Sequence, residues 1–207
     1  MNKALLALLL FALPTFARAA PNPQPPAAQP LAAQPLAEPS FPLVMYAVPA
    51  TDAAFARAKS WGINYVHSYG LGMDVTKDQQ FFDLAAQHGL KVAANLNGTR
   101  RVGVAGGLEA MRAYVRHFKA HPALGFWYLF DEPDNHHIKP DALEPFYRML
   151  KEEMPNVPVA VCHAWTTGWY RYGQVQDILV NDIYPVTGAP FPQAKLLHFT
   201  KFAEAAL

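Results

Sequence analysis

The 207-residue sequence predicts an α/β chain built on a parallel sheet, of the (β/α)8 TIM-barrel type with about six of the eight strand–helix units present. Three observations carry this expectation. Short apolar runs alternate with amphipathic helical stretches, with no sign of an antiparallel hairpin, and such alternation calls for parallel strands joined by right-handed crossovers. The first run is followed by Pro49-Ala50-Thr51-Asp52 and not by a glycine-rich phosphate loop, which disfavours a dinucleotide-binding sheet. Hydrogen-bonding and aromatic residues gather where the runs end, as they do at the C-terminal mouth of a barrel, and the opposite ends carry no comparable set.

Residues 1–19 open with Lys3, continue through an apolar stretch from Ala4 to Leu13 and finish at Ala17-Arg18-Ala19, a small-x-small pattern. This is the layout of a secretory signal peptide, and it predicts a secreted or periplasmic protein. The stretch is too short to span a bilayer, so no membrane insertion of the mature chain is expected. Residues 20–42 are mostly Pro, Ala and Gln, a composition that cannot offset its ordering entropy and reads as an extended linker. Residues 43–207 are rich enough in aromatics and branched aliphatics to bury one core. This region is expected to be one incomplete barrel domain.

Within it, Leu43 to Val48 reads as the first strand, and Thr51-Asp52 can cap a helix carrying Phe55, Ala58 and Trp61 that stops at Gly62. Ile63 to Tyr69 is the second strand, followed by a helix near Lys77 to His88 that ends at Gly89. Leu90 to Leu96 is the third strand, and Leu108 to Lys119 a helix with Met111, Val115 and Phe118 on one face. Leu124 to Phe130 is a continuous apolar run, the mark of a strand buried on both sides. A helix from about Asp141 to Met154, a strand at Val157 to Cys162, a poorly defined segment near Tyr170 to Val175 and a strand at Ile178 to Ile183 complete the order.

The formal charge of +1 is spread without a basic stripe, so no nucleic acid partner is expected and a neutral or weakly charged ligand fits better. Cys162 is the only cysteine, and its place in an apolar strand predicts a buried, inert thiol. Neither a cofactor nor a metal is called for. The strand ends offer His67 with Tyr69, Asn95 with Asn97, Asp131 with Glu132, His163 with Trp165, and Asp182 with Tyr184. Of these, His67, Asn95, Asn97, His163, Trp165 and Asp182 are expected to bind a substrate.

Asp131 and Glu132 end the fourth strand, and Pro133 stops it. A neighbouring negative charge and partial burial both raise a carboxyl's proton affinity, which suits Glu132 to act as a proton donor in glycoside cleavage. Here the chain resembles the clan-A glycoside hydrolases, (β/α)8 barrels whose acid/base glutamate ends the fourth strand in an Asn-Glu-Pro motif. The match is Asp131-Glu132-Pro133, led by His121-Pro122-Ala123-Leu124-Gly125-Phe126-Trp127-Tyr128. The resemblance implies Glu132 as proton donor, Asp131 in the place of a sugar-holding asparagine, and Tyr184, within Asn181-Asp182-Ile183-Tyr184-Pro185, as a residue that orients the nucleophile. It also implies a carbohydrate substrate.

In that family the nucleophilic glutamate closes the seventh strand, whereas this sequence finishes at Leu207 in what reads as the sixth helix. A truncated barrel is therefore expected, with open strand edges through which copies of the chain could associate. Arg100 and Arg101 after the third strand read as a solvated pair, and His136-His137 as loop residues. Trp165, Trp169, Tyr170 and Tyr172 suit sugar stacking or anchoring equally. Two other readings stand beside the hydrolase: a metal-dependent barrel hydrolase using Glu132, His163 and Asp182, and a non-catalytic carbohydrate-binding envelope protein.

Overall fold

The computed structural model describes residues 41–182. The expected signal peptide, the linker up to Ser40 and the stretch from Ile183 onward, which includes Tyr184, lie outside the described residues. Within them, six parallel strands lie side by side in sequence order and form a half-barrel: β1 (Val44–Met45), β2 (Tyr65–Val66), β3 (Lys91–Asn95), β4 (Leu124–Asp131), β5 (Val159–His163) and β6 (Ile178–Asn181). Helices α1 (Asp52–Ser60), α2 (Val75–Gln87), α3 (Gly107–Phe118), α4 (Pro140–Glu153) and α5 (Thr166–Tyr172) fall between them.

Local chemistry sets these boundaries. Thr51 caps α1 by accepting from the Ala54 amide at 3.3 Å, and Asp74 caps α2 by accepting from Thr76 and Lys77 at 3.0 and 3.2 Å. The Asp74 cap starts α2 two residues before Lys77, where hydrophobic periodicity alone had put it. The first two strands are much shorter than expected, and β1 ends early because Ala47 takes a left-handed φ of 55° and breaks the extended run. The Val48 amide still donates to the His67 carbonyl at 3.0 Å, so the two segments stay joined. The poorly defined segment near Tyr170 to Val175 holds the end of α5, whose seven residues include Gly168 and which has no side-chain cap, and a 3₁₀ turn at Gly173–Val175.

The two faces of the sheet differ in chemistry. On the side that meets the helices, Val66, Val92, Ala94, Trp127, Leu129, Phe130, Val159 and Val161 are buried with Phe55, Phe82, Met111, Phe118, Leu143 and Met149 in one continuous core. On the concave side, Ala93, Phe126, Tyr128, Ala160 and Cys162 form a second, smaller cluster, joined by Tyr46, Tyr65, Ile178 and Val180.

An irregularity in β4 decides which face its tip belongs to. Tyr128 pairs with Ala160, then Phe130 with Val161 and Asp131 with Cys162, so β4 spends one more residue than β5 over this stretch. Leu129 and Phe130 both join the helix-side core, and Asp131 falls beside Cys162 on the concave side. Gly98, in the 3₁₀ turn Gly98–Arg100, lies against this irregular stretch: a Cβ there would stand 2.2 Å from the Leu129 carbonyl oxygen and 2.7 Å from the Phe130 ring.

Candidate active site

Glu132 follows β4 directly, and its backbone has a left-handed φ of 54°, unusual for a residue with a side chain and more so ahead of a proline. Three hydrogen bonds hold it there. Its amide donates to the Cys162 carbonyl at 3.0 Å, and its carbonyl accepts from the amides of Asn135 and His136, each at 3.1 Å. Strain of this kind persists only where the surroundings over-determine it. The half-buried Glu132 carboxylate accepts from the Asn135 side-chain amide at 3.1 Å.

Burial is the main influence on the proton affinity of Glu132 and raises it; the Asn135 hydrogen bond opposes this, while the charges of Asp182 and Asp131 and a hydrogen bond with Asp182 raise it further. Asp131 accepts a 2.5 Å hydrogen bond from the Tyr128 hydroxyl. Its charge also reaches Tyr46 and Cys162, as does that of Asp182, so the two carboxylates share the concave side. The Asp182 amide donates to the His163 carbonyl at 3.0 Å, which ties the end of β6 to the end of β5.

A recess of about 250 Å³ is lined by Tyr46, Tyr69, Tyr128, Cys162, Val180, Asn181 and Asp182. The Tyr46 ring lies 6.3 Å from that of Tyr69 and 6.1 Å from that of Tyr128, centre to centre. His67 packs within 4.9 Å of all three rings and is fully buried, with no hydrogen-bond partner on either ring nitrogen among the described residues. Burial lowers its pKa from 6.5 to about 4, so the ring is neutral at pH 7. The Cys162 thiol is buried as well, and burial pushes its pKa up to about 12, in keeping with an inert thiol.

The remaining sequence-derived candidates are not among the residues that line this recess. Asn95, at the end of β3, is buried and accepts from the Asn97 amide at 2.8 Å. Asn97 itself has a left-handed φ of 52° and starts the 3₁₀ turn, with its side-chain amide 3.4 Å from the Leu71 carbonyl. Trp165 is exposed and serves as the N-cap of α5.

His163 is buried against Tyr172 and bonded to the Gln176 side chain at 2.7 Å, on the helix side of β5. Strand alternation explains this, since Cys162 takes the concave position. The set Glu132, His163 and Asp182 is accordingly not assembled, and among the described residues no cluster of three or more His, Cys, Asp or Glu side chains is placed to hold a metal ion. Arg101 also departs from expectation: it is buried, donates to the Gly72 carbonyl and lies 5.9 Å over the Tyr114 ring, while Arg100 is exposed.

Sequence reasoning did not find Tyr46 and Tyr128 as recess residues, nor Asp134. The Asp134 carboxylate accepts from the amides of Ala164 and Trp165 at 3.2 and 2.8 Å, fastening the loop after β4 to the loop after β5. An Asp one residue after a proline is a loop-forming signal that could have drawn notice.

No family model matches this sequence, and no curated protein matches it. Solved structures do. A GH2 β-galacturonidase from Eisenbergiella tayi, bound to galacturonate, is 13% identical with a TM-score of 0.55, over 78% of this chain and 32% of that one. Gas2p of Saccharomyces cerevisiae, in complex with laminaritriose and laminaritetraose, is 16% identical with a TM-score of 0.52, over 77% of this chain and 43% of that one. A β-glucuronidase of Bacteroides uniformis is 17% identical with a TM-score of 0.53, over 75% of this chain and 21% of that one. The fold is that of a partial (β/α)8 barrel, and these barrels of glycoside hydrolases share it. The chain spans less than half the length of each.

Proposed function

We propose that this chain is an exported protein of the glycoside hydrolase type, in which Glu132 donates a proton to the leaving oxygen of an O-glycosidic bond. The observation that carries this reading is the pairing at the mouth: a half-buried carboxyl locked at the tip of β4, with its proton affinity raised, in hydrogen-bond contact with Asp182 from the tip of β6. A general acid must stay protonated near its working pH, and burial beside other carboxylates acts in that direction.

Asp182 raises the proton affinity of Glu132 through its charge and a hydrogen bond. Its part is therefore to hold the proton on Glu132. Asp131, fixed by the Tyr128 hydroxyl, supplies negative charge toward the oxocarbenium-like centre that develops as the bond breaks. The fold shared with glycoside hydrolases supports the reading, and so does the aromatic lining, since tyrosine rings suit the apolar faces of sugars.

The test is cleavage of a panel of chromogenic aryl glycosides by the full chain and by Glu132→Gln. The substitution is expected to lower kcat/KM by about 10²- to 10⁴-fold with the circular dichroism spectrum unchanged. A wild-type chain inert on the whole panel, or a variant as active as wild type, would defeat the proposal. Export is tested separately, by fractionating producing cells and sequencing the N-terminus of the mature protein, which is expected to begin at Ala20.

A further inference from the structure

The recess is acidic and aromatic together, and few sugars suit both properties. Resting on the reading of this mouth as a carbohydrate site, we infer that its ligand is a sugar carrying a protonated amine, and that sugars carrying a carboxylate are rejected. Three tyrosine rings, Tyr46, Tyr69 and Tyr128, wall the recess, and tyrosine faces attract cations electrostatically. Asp182 lines the same space, and the charges of Asp131 and Asp182 both reach the Tyr46 side of it. At about 250 Å³ the recess falls just under the range of about 300–1,000 Å³ usual for small-molecule pockets, which fits one small ring better than an oligosaccharide.

Among the described residues, no Lys, Arg or His lines the recess to supply the positive charge that a carboxylated sugar would need. Among the described residues neither Asp131 nor Glu132 takes part in an ion pair with a Lys, Arg or His; the ion pairs present join residues on or beside the helices. The guanidinium of Arg101, in the loop after β3, is held against Gly72 and Tyr114. His67, the one imidazole packed on all three tyrosines, is buried without a partner for either nitrogen and brings no charge to the wall.

Calorimetric titration of the full chain with methyl β-glucosaminide, methyl β-glucoside, methyl β-N-acetylglucosaminide and methyl β-glucuronide tests the inference, with Asp182→Asn and Tyr69→Leu alongside. Tyr69 is half-exposed, so its replacement spares the core. The free amine is expected to bind about tenfold more tightly than the neutral sugars, a factor within the reach of cation–π and ion-pair attraction, and the glucuronide more weakly than all of them. In both variants the ratio of amine to neutral affinity should fall toward one.

Equal affinities, or tightest binding of the glucuronide, would overturn the charge inference while leaving a carbohydrate site in place. A preference that survives both substitutions would overturn its assignment to this recess. Binding of none of the four sugars would overturn the carbohydrate reading, and the inference with it.

Discussion

The same six strands present two faces to two different tasks. Facing the helices, β4 contributes Trp127, Leu129 and Phe130 to a continuous apolar core; on the concave side it contributes Asp131 and the recess-lining Tyr128, and His67 lies buried against the recess tyrosines with no partner for either ring nitrogen among the described residues. The first arrangement maximises apolar contact, worth about 25 cal/mol per Å² removed from water. The second retains costs that a purely structural face would shed: a left-handed Glu132, carboxylates brought together, and imidazole nitrogens without partners among the described residues. The difference teaches that stability is concentrated on one side of the sheet and chemistry on the other, so substitutions on the two faces should separate in what they damage.

The sharpest separation is expected at Glu132. Its replacement by Gln should remove about 3–5 kcal/mol of transition-state stabilisation, the equivalent of 10²- to 10⁴-fold in rate, while urea unfolding shows stability unchanged or improved. The mirror case is Phe82→Ala on the helix side, where the ring stacks on Phe118 at 4.3 Å. Here about 3–5 kcal/mol of stability should be lost, with saccharide affinity per folded molecule unchanged. Damage to both properties in either variant would erase the distinction.

The His67 prediction concerns pH. Between about pH 6.5 and 4 the unfolded chain binds a proton that the native chain refuses, so stability should fall as pH drops through this window, by up to about 3 kcal/mol. His163 is also lowered by burial and contributes in the same sense. Denaturant curves of His67→Phe should show a correspondingly shallower loss on acidification.

A smaller effect is expected from Asp182→Asn. Removing this charge lowers the proton affinity of Glu132, so the alkaline limb of the kcat/KM profile should move to lower pH. A limb that stays in place would separate the two carboxyls. Least of all, Tyr128→Phe should cost about 0.5–1.5 kcal/mol in thermal unfolding by removing the hydrogen bond to Asp131.

What the sequence disclosed follows the same division. Strand and helix order on the helix side was legible because Gly62 and Gly89 end helices and Thr51 caps one, each a local rule with a local cause. Strand length at β1 was not, since the left-handed turn at Ala47 has no residue-type signal. On the concave side, Glu132, Asp131 and Asp182 were found as chemically conspicuous residues at strand ends. Their neighbours Tyr46 and Tyr128 were hidden, because an aromatic residue in an apolar run reads the same whichever way it points. His163 was read as a mouth residue and Arg101 as a solvated one for a related reason: strand-end position indicates proximity to the opening, and only the alternation of faces and the packing of the following loop indicate direction.

The additional residue in β4 makes the facing of its acidic tip a matter of odd and even. Deleting either Leu129 or Phe130 would leave one residue opposite Val161, restore plain alternation and keep Asp131 beside Cys162, whereas straightening the strand with both residues in place would turn Asp131 toward the helices. A homologous chain one residue shorter at this point should therefore still present its carboxylate on the concave side.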